Sequence, residues 1–174
     1  MGKKIVWYEP GRCWGCGNCV ARCAEAHGGT PACWVVMAGF LPVPIRCLHC
    51  SDAACMDVCP VGAITRRGDA VVIDYGACKG CGLCALACPF GAITFDNEKR
   101  KPIKCDLCIN IIEKGGTPAC VEACPSHALQ YIDIDELTSK TRTKAGFALK
   151  YLSTANPEDL IGAYYTPSPT ELHE

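Results

Sequence analysis

The chain has 174 residues, a formal charge of -1 (17 Lys plus Arg against 18 Asp plus Glu) and 17 cysteines, so nearly one residue in ten is Cys. The near-neutral balance, without an extended basic stretch, argues against nucleic acid as a partner, because neutralising phosphates needs concentrated positive charge. Leu, Ile, Val and Phe together number only 37, so a conventional apolar core is thin, and disulfides, zinc or iron-sulfur clusters are the candidates to supplement it.

In chain order, the N-terminal segment carries Lys3 and Lys4 and a short apolar run that stops at Glu9-Pro10. It has neither a small-residue cleavage site nor a twin arginine, so no export signal is expected. The first cysteine group is Cys13, Cys16, Cys19 and Cys23, spaced Cys-x2-Cys-x2-Cys-x3-Cys. Residues 32–44 follow, unusually apolar for a linker, with Trp34, Val35, Val36, Met37, Phe40 and Leu41. They read as a hairpin closing over a cluster or as a docking patch for a partner subunit. Cys33, within them, has no companion at ligand spacing and reads as a buried free thiol. Gly39, Pro42 and Pro44 interrupt this apolar stretch, the longest in the sequence, so it falls short of the roughly 18 to 20 residues a membrane span needs. No direct membrane span is expected, and the setting read from the sequence is the cytoplasm.

The second group is Cys47, Cys50, Cys55 and Cys59, the third Cys78, Cys81, Cys84 and Cys88, and the fourth Cys105, Cys108, Cys120 and Cys124. After three of the closing cysteines the same text recurs: Cys59-Pro-Val-Gly-Ala-Ile-Thr, Cys88-Pro-Phe-Gly-Ala-Ile-Thr and Cys124-Pro-Ser-His-Ala-Leu-Gln. Pro ends a short helix, Gly permits a tight turn, Ala lets the backbone approach, and Ile64, Ile93 or Leu129 opens a strand. Strands are expected at 64–65, 70–73, 93–95 and 129–132. Lys99, Arg100, Lys101 and Lys104 read as a solvated turn, with a contact for an acidic partner as the alternative. The insertion between Cys108 and Cys120 reads as a short helix plus turn. Past Tyr131 no cysteine occurs; a helix capped by Asp133 or Asp135 runs to about Leu152, with Leu137, Ala145, Ala148, Leu149 and Leu152 as its apolar stripe. A second short turn begins at Asn156-Pro157, and residues 164–174 read as extended.

The spacing separates the three cysteine chemistries. Four thiols within eleven residues cannot bridge one another without backbone strain, which sets disulfides aside. Structural zinc uses Cys-x2-Cys pairs across a longer loop, which suits the fourth group alone. Three close cysteines followed at x3 by a fourth, with Pro next, is the bacterial 4Fe-4S pattern: three thiolates wrap one cluster and the fourth, a helical turn further on, ligates another. Cys59, Cys88 and Cys124 precede Pro, whereas Cys23 precedes Ala24. Sixteen cysteines match four 4Fe-4S clusters. His27, His49, His127 and His173 are then surplus to ligation and read as packing or surface residues, with His49 and His127 placed to tune a neighbouring cluster. No nucleotide loop or Ser-His-Asp set is present, so no catalytic residue is expected. Spacing alone leaves open whether the motifs pair sequentially or nested.

On these motifs, residues 3 to 133 resemble the four-cluster ferredoxin-like electron-transfer subunits that accompany molybdenum or tungsten pterin oxidoreductases of the aldehyde or formate type, hydrogenases or carbon monoxide dehydrogenase. The resemblance implies an α+β fold of two bacterial-ferredoxin-like βαββαβ modules, nested around four clusters. The outer module would comprise 1–41 with 97–133, the inner 42–96, and 134–174 a helical extension. It implies that Cys47, Cys50, Cys55 and Cys88 hold one cluster and Cys78, Cys81, Cys84 and Cys59 its neighbour. Cys13, Cys16, Cys19 and Cys124 would hold a third, and Cys105, Cys108, Cys120 and Cys23 the fourth. The implied partners are a large catalytic subunit, a pterin enzyme favoured, and a further flavin or ferredoxin redox protein. An independent soluble polyferredoxin is the alternative.

Overall fold

In the computed structural model, residues 2–96 and 98–152 are described, with side chains to residue 145. Strand β1 (Lys4–Tyr8) leads through a 3-10 turn at Pro10–Arg12 into helix α1 (Asn18–Ala26). Strands β2 (Cys33–Ala38) and β3 (Leu41–Arg46) form a hairpin, followed by helix α2 (Ala54–Asp57). Then come β4 (Ile64–Arg67), β5 (Ala70–Ile73), helix α3 (Leu83–Ala87), β6 (Ile93–Asp96) and β7 (Lys101–Lys104). Two single-turn helices, α4 (Ile109–Ile112) and α5 (Ala119–Glu122), precede β8 (Leu129–Asp133) and the long helix α6 (Ile134–Leu152). This is a small α+β fold. Residues 3–132 form one unit; residue 2 and residues 133–152 belong to another. Among the described residues no helix is long and apolar enough to cross a membrane.

All the strands pair two by two. Hairpins β2–β3, β4–β5 and β6–β7 are antiparallel, with Val36 opposite Val43, Ile64 opposite Ile73 and Phe95 opposite Pro102. The fourth pair joins the first strand to the last, β1 to β8, and the Glu9 amide extends the contact to the Ala128 carbonyl at 2.8 Å. Helix α1 packs on α5, and α2 on α3. The core is divided into three apolar clusters, each containing cysteine.

The expected strands all form. Two strands that the sequence reading omitted are β1 and β7, both opened by lysine. The expected turn over the basic run holds for Lys99 and Arg100, but Lys101 and Lys104 belong to β7, and Lys104 is 5% exposed. The 32–44 segment is a hairpin that meets the first motif at Pro42, next to its tip, as well as at Cys33. The Tyr8 hydroxyl donates to the Pro42 carbonyl, and a Cβ on Gly15 would lie 3.1 Å from Pro42 Cβ. The tip, with Val36, Met37, Phe40 and Leu41, is exposed. At α6 the Asp135 amide donates to the Asp133 carboxylate at 2.9 Å, the expected cap. The side chains of the last three positions of the expected apolar stripe are not among those described, and the turn at 156, the 164–174 tail and His173 lie outside the described residues.

Candidate metal centres

The closing cysteine of each Pro-following motif is held by one repeated turn. Gly62, Gly91 and His127 all take a left-handed φ, of 60, 58 and 51°. Their amides donate to the carbonyls of Cys59, Cys88 and Cys124 at 3.2, 3.3 and 3.2 Å. The next residue is Ala63, Ala92 or Ala128, each no more than 2% exposed, where a larger side chain has no room. The Ala63 amide donates to the Cys59 sulfur at 3.2 Å. In the first motif, where Pro is missing, α1 runs on past Cys23, and the Ala32 amide takes that donor role at 3.3 Å.

The opening cysteines share a second device. Two residues on from Cys13, Cys47, Cys78 and Cys105, the backbone is left-handed at Gly15, His49, Gly80 and Leu107. The last three amides donate to the Cys47, Cys78 and Cys105 sulfurs at 3.3, 3.4 and 3.4 Å. Such N-H···S bonds favour thiolate over thiol and set the electronics of whatever the sulfur binds.

No disulfide joins any of the seventeen cysteines. Cys59, Cys78, Cys81 and Cys84 line one pocket with Ile64, Ile73, Leu83 and Pro102. The closing cysteine of the second motif thus faces the cysteines of the third. Cys50, Cys55 and Cys88 gather around a core cluster of Ile64, Val71 and Ile93 that Cys59 and Cys84 also join, and the buried Cys47 acts electrostatically on Cys55, as does Cys88. In the outer part of the unit, Cys23 and Cys105 pack around one cluster, and Cys23 and Cys108 both act on Cys120. Of the remaining set, the packing joins Cys19 and Cys124 around another cluster, which also holds Cys120, while Cys13 is half-buried near the Tyr8 hydroxyl and Cys16 is exposed.

Burial pushes the thiols of Cys55, Cys84, Cys105 and Cys108 up and that of Cys120 up to about 12. Bare thiolates at these positions are unfavourable, and a bound cation is what permits them to ionise. Two buried donors point the same way, since Arg46 Nε and His49 Nε2 have no hydrogen-bond partner, and inorganic sulfide is an acceptor that would satisfy them. The residues therefore fit iron-sulfur clusters.

Cys33 and His27 tie the first motif to its surroundings in ways the spacing did not reveal. Cys33 is 3% exposed, directs its S-H toward the Cys19 carbonyl at 3.5 Å and bonds the Cys19 and Cys23 side chains, bringing those thiols down to about 7 and about 4. His27 Nδ1 donates to the Cys23 carbonyl at 2.7 Å and Nε2 to the Asp106 carboxylate at 2.9 Å. Both ring nitrogens face acceptors, so the imidazolium is held, its pKa pushed up to about 11 chiefly by Asp106 and then by Cys23. His49 is the opposite case, pushed down to about 3 by burial and by the Lys104 and Arg46 charges. His127 is exposed and supplies a turn.

Residues 38–134 match the 4Fe-4S dicluster domain and residues 10–26 the 4Fe-4S binding domain. The protein belongs to the 4Fe-4S dicluster family of ferredoxin-like iron-sulfur proteins. It is 31% identical to hydrogenase-4 component A of Escherichia coli (strain K12), over 90% of its own length and 96% of that relative's. An uncharacterized ferredoxin of Methanocaldococcus jannaschii is 41% identical over 82% of this protein and 80% of its own length. One subunit of the anaerobic dimethyl sulfoxide reductase of Haemophilus influenzae is 34% identical, again over 82% and 80%.

Proposed function

We propose that this protein is the non-catalytic electron-transfer subunit of a larger oxidoreductase, carrying four 4Fe-4S clusters in two nested ferredoxin-like modules. The reading rests above all on the pocket that Cys59 shares with Cys78, Cys81 and Cys84, because a crossed fourth ligand is the mark of a two-cluster module. The packing of α2 on α3 and of α1 on α5 supports pairing the second motif with the third and the first with the fourth. The β1–β8 pair supports an outer module that draws residues 1–41 and 97–133 together around 42–96. The ligand sets follow: Cys47, Cys50, Cys55 and Cys88; Cys78, Cys81, Cys84 and Cys59; Cys13, Cys16, Cys19 and Cys124; Cys105, Cys108, Cys120 and Cys23.

When bound, the clusters supply reversible one-electron chemistry. The protein's own residues orient the thiolates through the repeated left-handed turns, donate N-H groups to their sulfurs and exclude water with Ile64, Val71, Ile93 and Leu129. The catalytic partner is a large subunit. The names of the relatives favour its hydrogenase and reductase forms, and the aldehyde or formate pterin enzymes expected from resemblance draw no added support from them. The exposed apolar tip of the β2–β3 hairpin suits such a partner. The relative named as a ferredoxin favours a second reading, an independent soluble polyferredoxin. Anaerobic purification under native conditions separates the two. Elution with a large catalytic subunit is expected, and elution alone at 18.6 kDa sinks the subunit reading.

A further inference from the structure

Three basic side chains are buried in the middle of residues 3–132: Arg46, His49 and Lys104 are 7, 3 and 5% exposed. The Arg46 guanidinium donates to the Val6 carbonyl and, at 3.4 Å, to that of Cys47. The Lys104 ammonium donates to the Val71 carbonyl and, at 3.0 Å, to that of Cys105. The Arg46 charge acts on the Cys120 thiol, and the Lys104 charge on the Cys55 thiol. Each cation therefore stands between a cysteine of the second motif and one of the fourth: Arg46 between Cys47 and Cys120, Lys104 between Cys55 and Cys105.

Among the described residues no carboxylate pairs with either cation. Carbonyl dipoles alone do not offset the desolvation of two full charges, which are buried in proteins only with a counter-charge nearby. Two donors remain unused. Arg46 Nε has no partner. The Val71 amide donates to His49 Nδ1 at 3.0 Å, so the ring proton sits on Nε2, which is likewise unpartnered. The unspent charge and the unspent donors lie together where two sets of ligand cysteines meet.

We propose that Arg46 and Lys104 are fixed positive charges shared by two clusters, those held by Cys47, Cys50, Cys55 and Cys88 and by Cys105, Cys108, Cys120 and Cys23, and that they raise the reduction potentials of this pair above what neutral side chains would give. The inference rests on the ligand sets proposed above. One-electron reduction, by a redox partner or a mediator dye, takes an all-thiolate cluster from a charge of about -2 to about -3 with no bond made or broken. A nearby cation stabilises the more negative form more strongly, the more so where water is excluded. Arg46 and Lys104 are thus positioning charges, joining the inner and outer modules where an electron must cross between them.

The test is an EPR-monitored mediator titration of the anaerobic holoprotein, with iron counted on the same samples. Lys104→Met and Arg46→Gln should each move two of the four reduction steps downward and leave two in place. The expected size is at least a tenfold fall in the reduced-to-oxidised ratio at fixed potential, about 59 mV for a one-electron couple. Lys104→Arg and Arg46→Lys, which keep the charge, should restore the wild-type steps. Four unmoved steps, four steps moving together, or equal shifts in the charge-keeping variants overturn the proposal. Should the neutral variants fail to take up iron while the charge-keeping ones load fully, the need for positive charge is upheld; equal failure of both shows a packing role and overturns it. A wild-type iron count short of four clusters refutes the ligand sets instead, independently of the potentials.

Discussion

Cys33 and Cys88 are both sheltered thiols, and only their neighbours tell them apart. Cys88 packs with Cys50 and Cys55 around Ile64, Val71 and Ile93, whereas Cys33 directs its single S-H toward the Cys19 carbonyl and interacts with the Cys19 and Cys23 side chains. Burial and those bonds keep the Cys33 thiol neutral, which suits a donor and not a ligand. Cys88→Ala should lower iron by about one cluster's worth, leaving the cluster served by Cys78, Cys81 and Cys84 in place. Cys33→Ala should leave iron content unchanged and cost about 1 kcal/mol of stability, the effect of a small core truncation. Iron-to-protein ratios and EPR on both variants check this. Loss of the Cys78 cluster with the Cys88 substitution, and retention of the other, would show that the fourth ligands are not crossed.

Turns and helices are where the sequence was most and least legible. The four cysteine groups stand out because their ligands are local, and the Cys-Pro-x-Gly-Ala-Ile text gives both the turn and the strand after it. Left-handed residues at His49, Leu107 and His127 carry no such mark, since there a side chain occupies a position that glycine fills in the other motifs. Strand β7 was hidden by its lysines: Lys104 looks solvated in sequence, and its burial depends on Val71 arriving from elsewhere. Which motifs pair depends on tertiary packing, α1 on α5 and α2 on α3, and spacing does not encode that. Glycines in the turns differ in the same context-dependent way. Gly62, at φ 60°, has open space where a Cβ would go, whereas a Cβ on Gly80, at φ 68°, would lie 2.1 Å from the Arg100 carbonyl oxygen. Gly62→Ala should therefore cost about 1 to 2 kcal/mol, the left-handed penalty alone. Gly80→Ala must in addition displace the β6–β7 turn and pull the Gly80 amide from the Cys78 sulfur. Its visible absorbance should bleach several-fold faster in mild denaturant than that of Gly62→Ala. Equal rates would mean that the turn yields freely.

At the scale of the whole molecule, four two-stranded pairs and helices of four to nine residues make up residues 3–132. A lone two-stranded hairpin is marginal in water, and helices that short do not stand alone. The three apolar clusters that link them are built partly from cysteine, so the side chains closing the core are those that would bind metal. Folding and metal binding are then one equilibrium. Arg46 and Lys104 sharpen this, because with the clusters gone two buried charges lose their counter-charge. Anaerobic removal of iron with a strong chelator should unfold this unit: loss of visible absorbance, loss of far-UV circular dichroism from the strands and the onset of protease cleavage should coincide. Protons should be taken up at neutral pH as the ligand thiolates revert to thiols, since the pKa of a cysteine in an unfolded chain is about 8.5. An iron-free protein that keeps its strands and resists protease would show that the apolar clusters suffice, and the coupling between core and metal would have to be abandoned.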